Sequence, residues 1–476
     1  MINNQIAYYL GSKIFAAILN LVTMAVFVRM GGKETYGLYI LQLAWAYMLY
    51  SVTMQWLRFS FFACFKEDNE ADLIATYLRM LAIGFAGLLL IAVIGLAANV
   101  MTFEFALGIV ILVLGLASYE ALSEIARTRL QARNVAIGVM MRAALMLAFG
   151  VIVLSYRPSA LGLTLSVGVA HLGAALALLL LSKNIGQGRW SSSAKKSLWD
   201  YGKPLIPAFG LDALGLQLDR LLLARFGSLE TVGIYGAASD LIRQTMIVVA
   251  EAIAGAYFTV ARKAAEQGEQ DQAKDILGQA FLAYTALTFF AGAFVLRFDR
   301  PIFDLMFGSE MGAAIEPIVG LIILSNMASI YRAYYFSQAI YLTKGSHNLL
   351  YSDGMQVVVT LLAGLALVPN YGAAGAAMAM FAGQIGGIIV YLIAWKNHYI
   401  LKLPYHQAAL VAAMAGATYL LSGLIEGSMT QNSGLAILFN IVLFGMASAL
   451  TAWRLNILSF RDLALKLASG KKGRAG

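Results

Sequence analysis

Long apolar runs alternate with short polar or glycine-rich breaks along this chain, and fourteen such runs can be marked. They fall near residues 6–28, 38–62, 74–98, 104–128, 136–156, 160–182, 203–225, 233–259, 276–297, 312–341, 348–368, 373–396, 406–425 and 434–454. A helix crosses a bilayer with about 20 residues, and nearly every run approaches or exceeds that length. Strands with open edges would leave backbone groups unpaired in lipid, so the runs predict helices. The expected fold is an all-α polytopic integral membrane protein of about fourteen transmembrane helices.

Composition agrees with the pattern. The 476 residues are 60% hydrophobic and 12% charged, with a mean hydropathy of +0.75. Soluble domains carry about 25% charged residues. A lone cysteine, Cys64, excludes an intrachain disulfide and a thiolate metal centre. The four histidines, His171, His347, His398 and His406, lack metal-ligand spacing, so neither metal nor cofactor is expected. No phosphate-binding glycine loop followed by lysine occurs, which argues against an ATP site. The N-terminus lacks the basic region and cleavage site of a signal peptide, so the first run is expected to stay as a span.

The net charge of +9 is distributed by topology. Even-numbered connections are basic: Lys66; Arg127, Arg129 and Arg133; Lys183, Arg189, Lys195, Lys196 and Lys203; Arg262, Lys263 and Lys274; Lys344; Lys396 and Lys402. The tail adds Arg461, Lys466, Lys471, Lys472 and Arg474. Basic residues collect on the cytoplasmic side, which puts both termini and the even loops there, in the cytoplasmic membrane. The same placement removes the reason to expect a nucleic-acid partner.

An internal repeat organises the chain. Residues 29–39 read RMGGKETYGLY and residues 225–235 read RFGSLETVGIY, both R-x-G-x-x-E-T-x-G-x-Y, offset by 196. Six spans separate the copies, so both have one orientation, as in a parallel repeat. A weaker echo lays 117–134 on 328–345, and the SALG of 159–162 resembles the YGAAG of 371–375. The expected organisation is an N-terminal lobe at 1–182, a basic linker at 183–202, a second lobe at 203–396, and two further helices with a basic tail at 397–476. The SSS run and charges of the linker suggest a flexible or interfacial segment. Each motif copy lies between two spans, where its glycines suit a turn.

Charges inside spans are costly and usually face a bundle interior or a wet cavity. Span 7 carries Asp212, Asp219 and Arg220, the two carboxylates seven residues apart on one helical face. Span 1 offers Lys13 with Asn20 and Thr23. Arg58 in span 2 and Glu251 in span 8 are charges of opposite sign near the same expected depth. Asp240 and Arg243 can pair at i,i+3, and so can Glu124 and Arg127 beside Glu120. Arg142 and Asp353 occupy matching positions at offset 211, and Arg332 lies among tyrosines in span 10.

Taken together, the two motif copies, the DRLLLARFG of 219–227, the YLTKG of 341–345 and the two six-helix lobes with two added helices resemble polysaccharide-export flippases of the Wzx type. These belong to the multidrug/oligosaccharidyl-lipid/polysaccharide (MOP) superfamily. The resemblance covers essentially the whole chain and carries no substrate code. It implies a transporter, not an enzyme. The implied substrate is an undecaprenyl-diphosphate-linked oligosaccharide, moved by alternating access, with polysaccharide polymerase and export machinery as possible partners besides the bilayer.

On that reading the cavity cations would be Arg58, Arg220, Arg243, Arg332 and Lys13, since guanidinium forks suit phosphate oxygens. Asp212, Asp219 and Glu251 would be candidates for ion coupling. Two relatives within the superfamily compete. A multidrug extruder is expected to have twelve helices, often with an acid in the first, which span 1 here lacks. A lipid II flippase is a closer cousin.

Overall fold

The computed structural model describes residues 2–66, 68, 70–182, 185, 187–340, 347–398, 401–428 and 434–457. The YLTKG segment, Lys183, Lys344 and the basic tail from Arg461 onward lie outside the described residues.

Every described element is helical. The order is α1 (Ile2–Tyr50), a π-helical stretch Ser51–Gln55, α2 (Trp56–Cys64), α3 (Glu70–Ala97), α4 (Phe103–Thr128), α5 (Ala132–Tyr156) and α6 (Ala160–Leu181). Then come α7 (Ser192–Gly202), α8 (Leu205–Phe226), α9 (Leu229–Glu266), α10 (Gln270–Arg297), α11 (Asp299–Phe307), α12 (Ser309–Ile315) and, after a short 3-10 turn, α13 (Val319–Ile330). A second π-helical stretch, Tyr331–Phe336, leads into α14 (Ser337–Ile340). The last three are α15 (His347–His398), α16 (Tyr405–Ser428) and α17 (Gly434–Arg454).

Among the described residues, eleven helical stretches are long and apolar enough to cross a membrane. Two of them each hold a pair of the expected spans. α1 breaks at Gly32 (φ 78°) and α15 at Gly372 (φ 52°), a backbone conformation that glycine adopts without a Cβ penalty. α8 is absent from the eleven. It is 22 residues long but carries Asp212, Asp219, Arg220 and Arg225. With these three additions every expected span has its helix, and the chain is a polytopic all-α membrane protein.

Helix starts follow local rules. Thr102 caps α4 by accepting the Phe105 N–H, Ser159 caps α6 through Gly162 N at 3.1 Å, and Ser191 caps α7 through Ala194 N at 3.3 Å. The SALG match thus opens α6 with a serine cap, whereas its YGAAG counterpart turns on Gly372.

The chain divides into two compact units. The first comprises residues 1–237, 306–308 and 368–376, and the second the remainder. In the first, Trp56, Leu57, Phe61, Leu73, Tyr77 and Ile125 belong to one buried core. The basic linker is more ordered than its composition suggests. Residues 192–202 form α7, whose Ala194 and Leu198 are buried in that core. The Arg189 N–H donates to Asp72 Oδ1 at 2.7 Å, and Trp199 meets Trp56 edge to face at 5.4 Å. Trp199 and Tyr201 flank this buried stripe and are exposed, as on a helix lying in a membrane interface. In the second unit, α16 and α17 pack on α10 through Phe290, Phe298, Val411 and Phe444.

Candidate functional site

The two motif copies pack directly against each other. A Cβ built on Gly37 would fall 1.8 Å from the Leu229 carbonyl oxygen, and one on Gly233 would fall 2.1 Å from that of Lys33. Leu229 is the repeat counterpart of Lys33, and Gly233 that of Gly37. The crossing is therefore reciprocal, with each glycine opening the space the other copy's backbone fills. Nearby, Gly236 lies against Ile40, its own repeat counterpart. Lys33 Nζ reaches Glu230 Oε1 at 3.2 Å, and Arg29 Nε donates to the Met306 carbonyl at 3.0 Å. Tyr36, Tyr39, Val232 and Tyr235 are buried around the crossing. The repeated motif of each copy is thus also a contact surface for the other.

Below this crossing in the first unit, Arg58 gathers two carboxylates of α4. Its Nη1 lies 2.6 Å from Glu120 Oε2 and its Nε 2.9 Å from Glu124 Oε2. Glu124 also receives Arg127 Nη1 at 2.8 Å. Glu120 and Glu124 are one turn apart on one face, where two anions repel unless a cation bridges them. The Arg58 side chain is 24% exposed and Glu120 21%, so this network is not sealed inside the protein. The π-helical stretch Ser51–Gln55 ends three residues before Arg58, and such bulges often mark functional positions.

The second unit holds a drier pair. Arg332, inside the other π-helical stretch, donates through Nη1 to Asp353 Oδ1 at 2.5 Å and through Nε to Gln384 Oε1 at 2.6 Å. The two ion-pair side chains are 4% and 7% exposed. Gly387 leaves room for the arginine stem: a Cβ there would come 2.7 Å from Arg332 Cδ.

Asp353's counterpart in the first unit, Arg142, has different company. Its guanidinium lies 5.2 Å from the Tyr119 ring centre, and its Nη1 is 3.4 Å from His171 Nε2. His171 Nδ1 contacts the Val167 carbonyl at 2.8 Å, so the proton sits on Nδ1 and Nε2 accepts from Arg142. A neutral imidazole is the species that tolerates an adjacent guanidinium.

The remaining candidates are scattered. Asp219 and Arg220 are buried on α8, and the Arg220 N–H donates to Asp219 Oδ1 at 2.8 Å. Asp212 is half-buried, whereas Lys13 and Glu251 are exposed. All five of these residues make polar or electrostatic contacts. Arg243 pairs with Asp240 on its own helix at 2.9 Å. Of the five candidate cations, Arg58, Arg243 and Arg332 each hold a carboxylate already. Sequence spacing anticipated the Asp240–Arg243 and Glu124–Arg127 pairs. It missed Arg58–Glu120–Glu124 and Arg332–Asp353–Gln384, which join residues 21 to 66 positions apart. Among the described residues, no group of three or more His, Cys, Asp or Glu could hold a metal.

No family model matches this chain, and no curated protein matches it. Solved structures do. The chain is similar to the lipid II flippase MurJ in an inward closed conformation, with a TM-score of 0.75 and 12% identity over 96% of this chain and 100% of the other. It is also similar to a multidrug-resistance MATE transporter of the MOP superfamily. The inward-facing form gives 0.59 and 14% identity over 80% of this chain and 94% of that one. The outward-facing form gives 0.52 and 14% over 81% and 92%. At these identities the likeness is one of fold. The chain shares the helical fold of these solved proteins.

Proposed function

We propose that this protein is a MOP-superfamily flippase that moves a polyprenyl-diphosphate-linked saccharide across the membrane by alternating access. The supporting observation is the whole-length likeness to a lipid II flippase, which leaves no part of that chain unmatched. The MATE likeness covers four-fifths of this chain. The two terminal helices on α10 are the natural surplus over a twelve-helix extruder. Within the flippase reading, lipid II is favoured over the oligosaccharide repeat unit implied by the Wzx resemblance. Both substrates present one chemistry, a diphosphate between a sugar and an isoprenoid. A drug extruder is the second reading, supported by the MATE likeness.

Arg58 is the cation best suited to that diphosphate. It is half-buried and not sealed inside the protein, and it can exchange Glu120 for a phosphate oxygen while Glu124 holds its Nε. Arg220 and Lys13 are further cavity candidates, whereas Arg243 and Arg332 serve as partners to Asp240 and Asp353. Asp212 and Glu251 are the ion-coupling candidates with the greatest exposure, and Asp219 is a buried third. The odd-numbered turns face outward in this reading. The reciprocal glycine crossing then closes the outer side and must separate when the cavity opens outward.

The test is depletion of the protein in its own cell, followed by extraction of lipid-linked precursors. Accumulation of lipid II supports the favoured reading, and accumulation of another lipid-linked oligosaccharide supports the Wzx-type alternative. Unchanged precursor pools with a loss of drug tolerance would replace both with the extruder.

A further inference from the structure

A cleft of about 1130 Å³ opens in the first unit between the second half of α1, the α3–α4 turn and the end of α8. Its size slightly exceeds the usual range of small-ligand sites, about 300–1,000 Å³. Polarity is graded along it. Arg225 in the last turn of α8 and Glu104 in the first turn of α4 stand at helix ends, where a membrane meets water. Leu41, Trp45 and Leu49 continue the lining down α1, and Ile91 faces them from α3. From Leu38 to Leu49 the cleft follows α1 for roughly 16 Å, at 1.5 Å per residue.

Two details go beyond a greasy surface. Arg225 and Glu104 are both exposed, and neither has an ion-pair partner among the described residues. The guanidinium of Arg225 lies over its neighbour's ring, Phe226, at 5.7 Å. Trp45 is 38% exposed, about 20 Å along the helix from the Gly32 turn. Tryptophan ordinarily sits at the membrane interface, with its N–H wetted. Here its ring lines the cleft at tail depth.

We infer that this cleft binds one zwitterionic, amine-bearing phospholipid, with its phosphate on Arg225, its ammonium on Glu104 and an acyl chain along Leu41, Trp45 and Leu49. A polyprenyl diphosphate carries only negative charge at its head and would face Glu104 unfavourably. An anionic phospholipid would satisfy Arg225 alone. The site stands apart from Arg58 and does not depend on what the protein transports.

The test uses the full-length protein in nanodiscs containing phosphatidylethanolamine with a photoreactive acyl chain. Adducts are expected in peptides covering 38–49 and 91–105. Native mass spectrometry should show phosphatidylethanolamine retained over phosphatidylglycerol by about threefold to fivefold, the range of one exposed ion pair. Arg225→Gln should lower retention of both lipids, and Glu104→Gln should abolish the preference between them. Both side chains are exposed and unpaired, so these variants should unfold at the wild-type temperature. Adducts spread evenly over the lipid-facing helices would overturn the proposal. So would an unchanged preference in Glu104→Gln, or displacement of phosphatidylethanolamine by undecaprenyl phosphate.

Discussion

The Arg58 network and the Arg332 pair are both arginine–carboxylate clusters inside membrane spans, one just after a π-helical stretch and the other within one, yet they differ in exposure and in arithmetic. Arg332 has one anion and one amide, all buried, with a glycine shaping the space for its stem. Arg58 has two anions, of which Glu124 is buried and shared with Arg127, while Glu120 is partly open. One of its bonds can be traded without stranding a buried charge. A sealed pair is suited to holding helices together. A half-open cluster is suited to exchanging partners with a ligand.

The largest effect should come from breaking the sealed pair. Asp353→Ala leaves Arg332 buried and uncompensated, and should destabilise the protein by about 3–5 kcal/mol. Thermal unfolding in detergent measures this. A loss below about 1 kcal/mol would mean that water enters the site and the contrast fails. Next, Arg58→Ala should reduce substrate transport by about tenfold while lowering stability less than Asp353→Ala does, because the carboxylates it leaves are not sealed inside the protein. If unfolding temperature falls as far as in Asp353→Ala, Arg58 is structural as well.

Within the half-open network the two carboxylates should separate. Glu124→Gln removes the shared anion from both Arg58 and Arg127 and should cost roughly 1–3 kcal/mol, whereas Glu120→Gln should cost well under 1. Equal costs would show that the difference in exposure has no energetic meaning. The smallest effect concerns Cys64, next to this network at the end of α2. Its thiol donates to the Ser197 carbonyl at 3.6 Å. Alkylation should therefore be a few-fold slower than for free cysteine and should quicken when Ser197 and its helix are loosened by denaturant, because the thiolate is the nucleophile. The same lone cysteine tests orientation. An impermeant maleimide should reach it only from the cytoplasmic side.

Reading the chain itself went far for the fold. Apolar run length marks a lipid-crossing helix almost independently of context, since lipid leaves the backbone no other satisfied state. Glycine at the turns was equally readable, and both merged helices break at one. Local charge pairs were legible too, because helical geometry brings i and i+3 together. The linker's serines and lysines left a flexible or an interfacial segment open, and Ala194 and Leu198, four residues apart, supply the buried stripe that docks α7.

What the sequence by itself determined is the placement of the long apolar helices, the repeated motif, and which spans carry charge. The energetic demand of lipid on the backbone is local, so local residues reveal it. Which charge answers which was decided only by the tertiary structure. Arg332 finds Asp353 and Gln384, and Arg58 finds α4, across distances that no periodicity encodes. The repeated motif shows the same division. Its glycines predict a turn from sequence, but only packing shows that Gly37 and Gly233 each make room for the other copy's backbone.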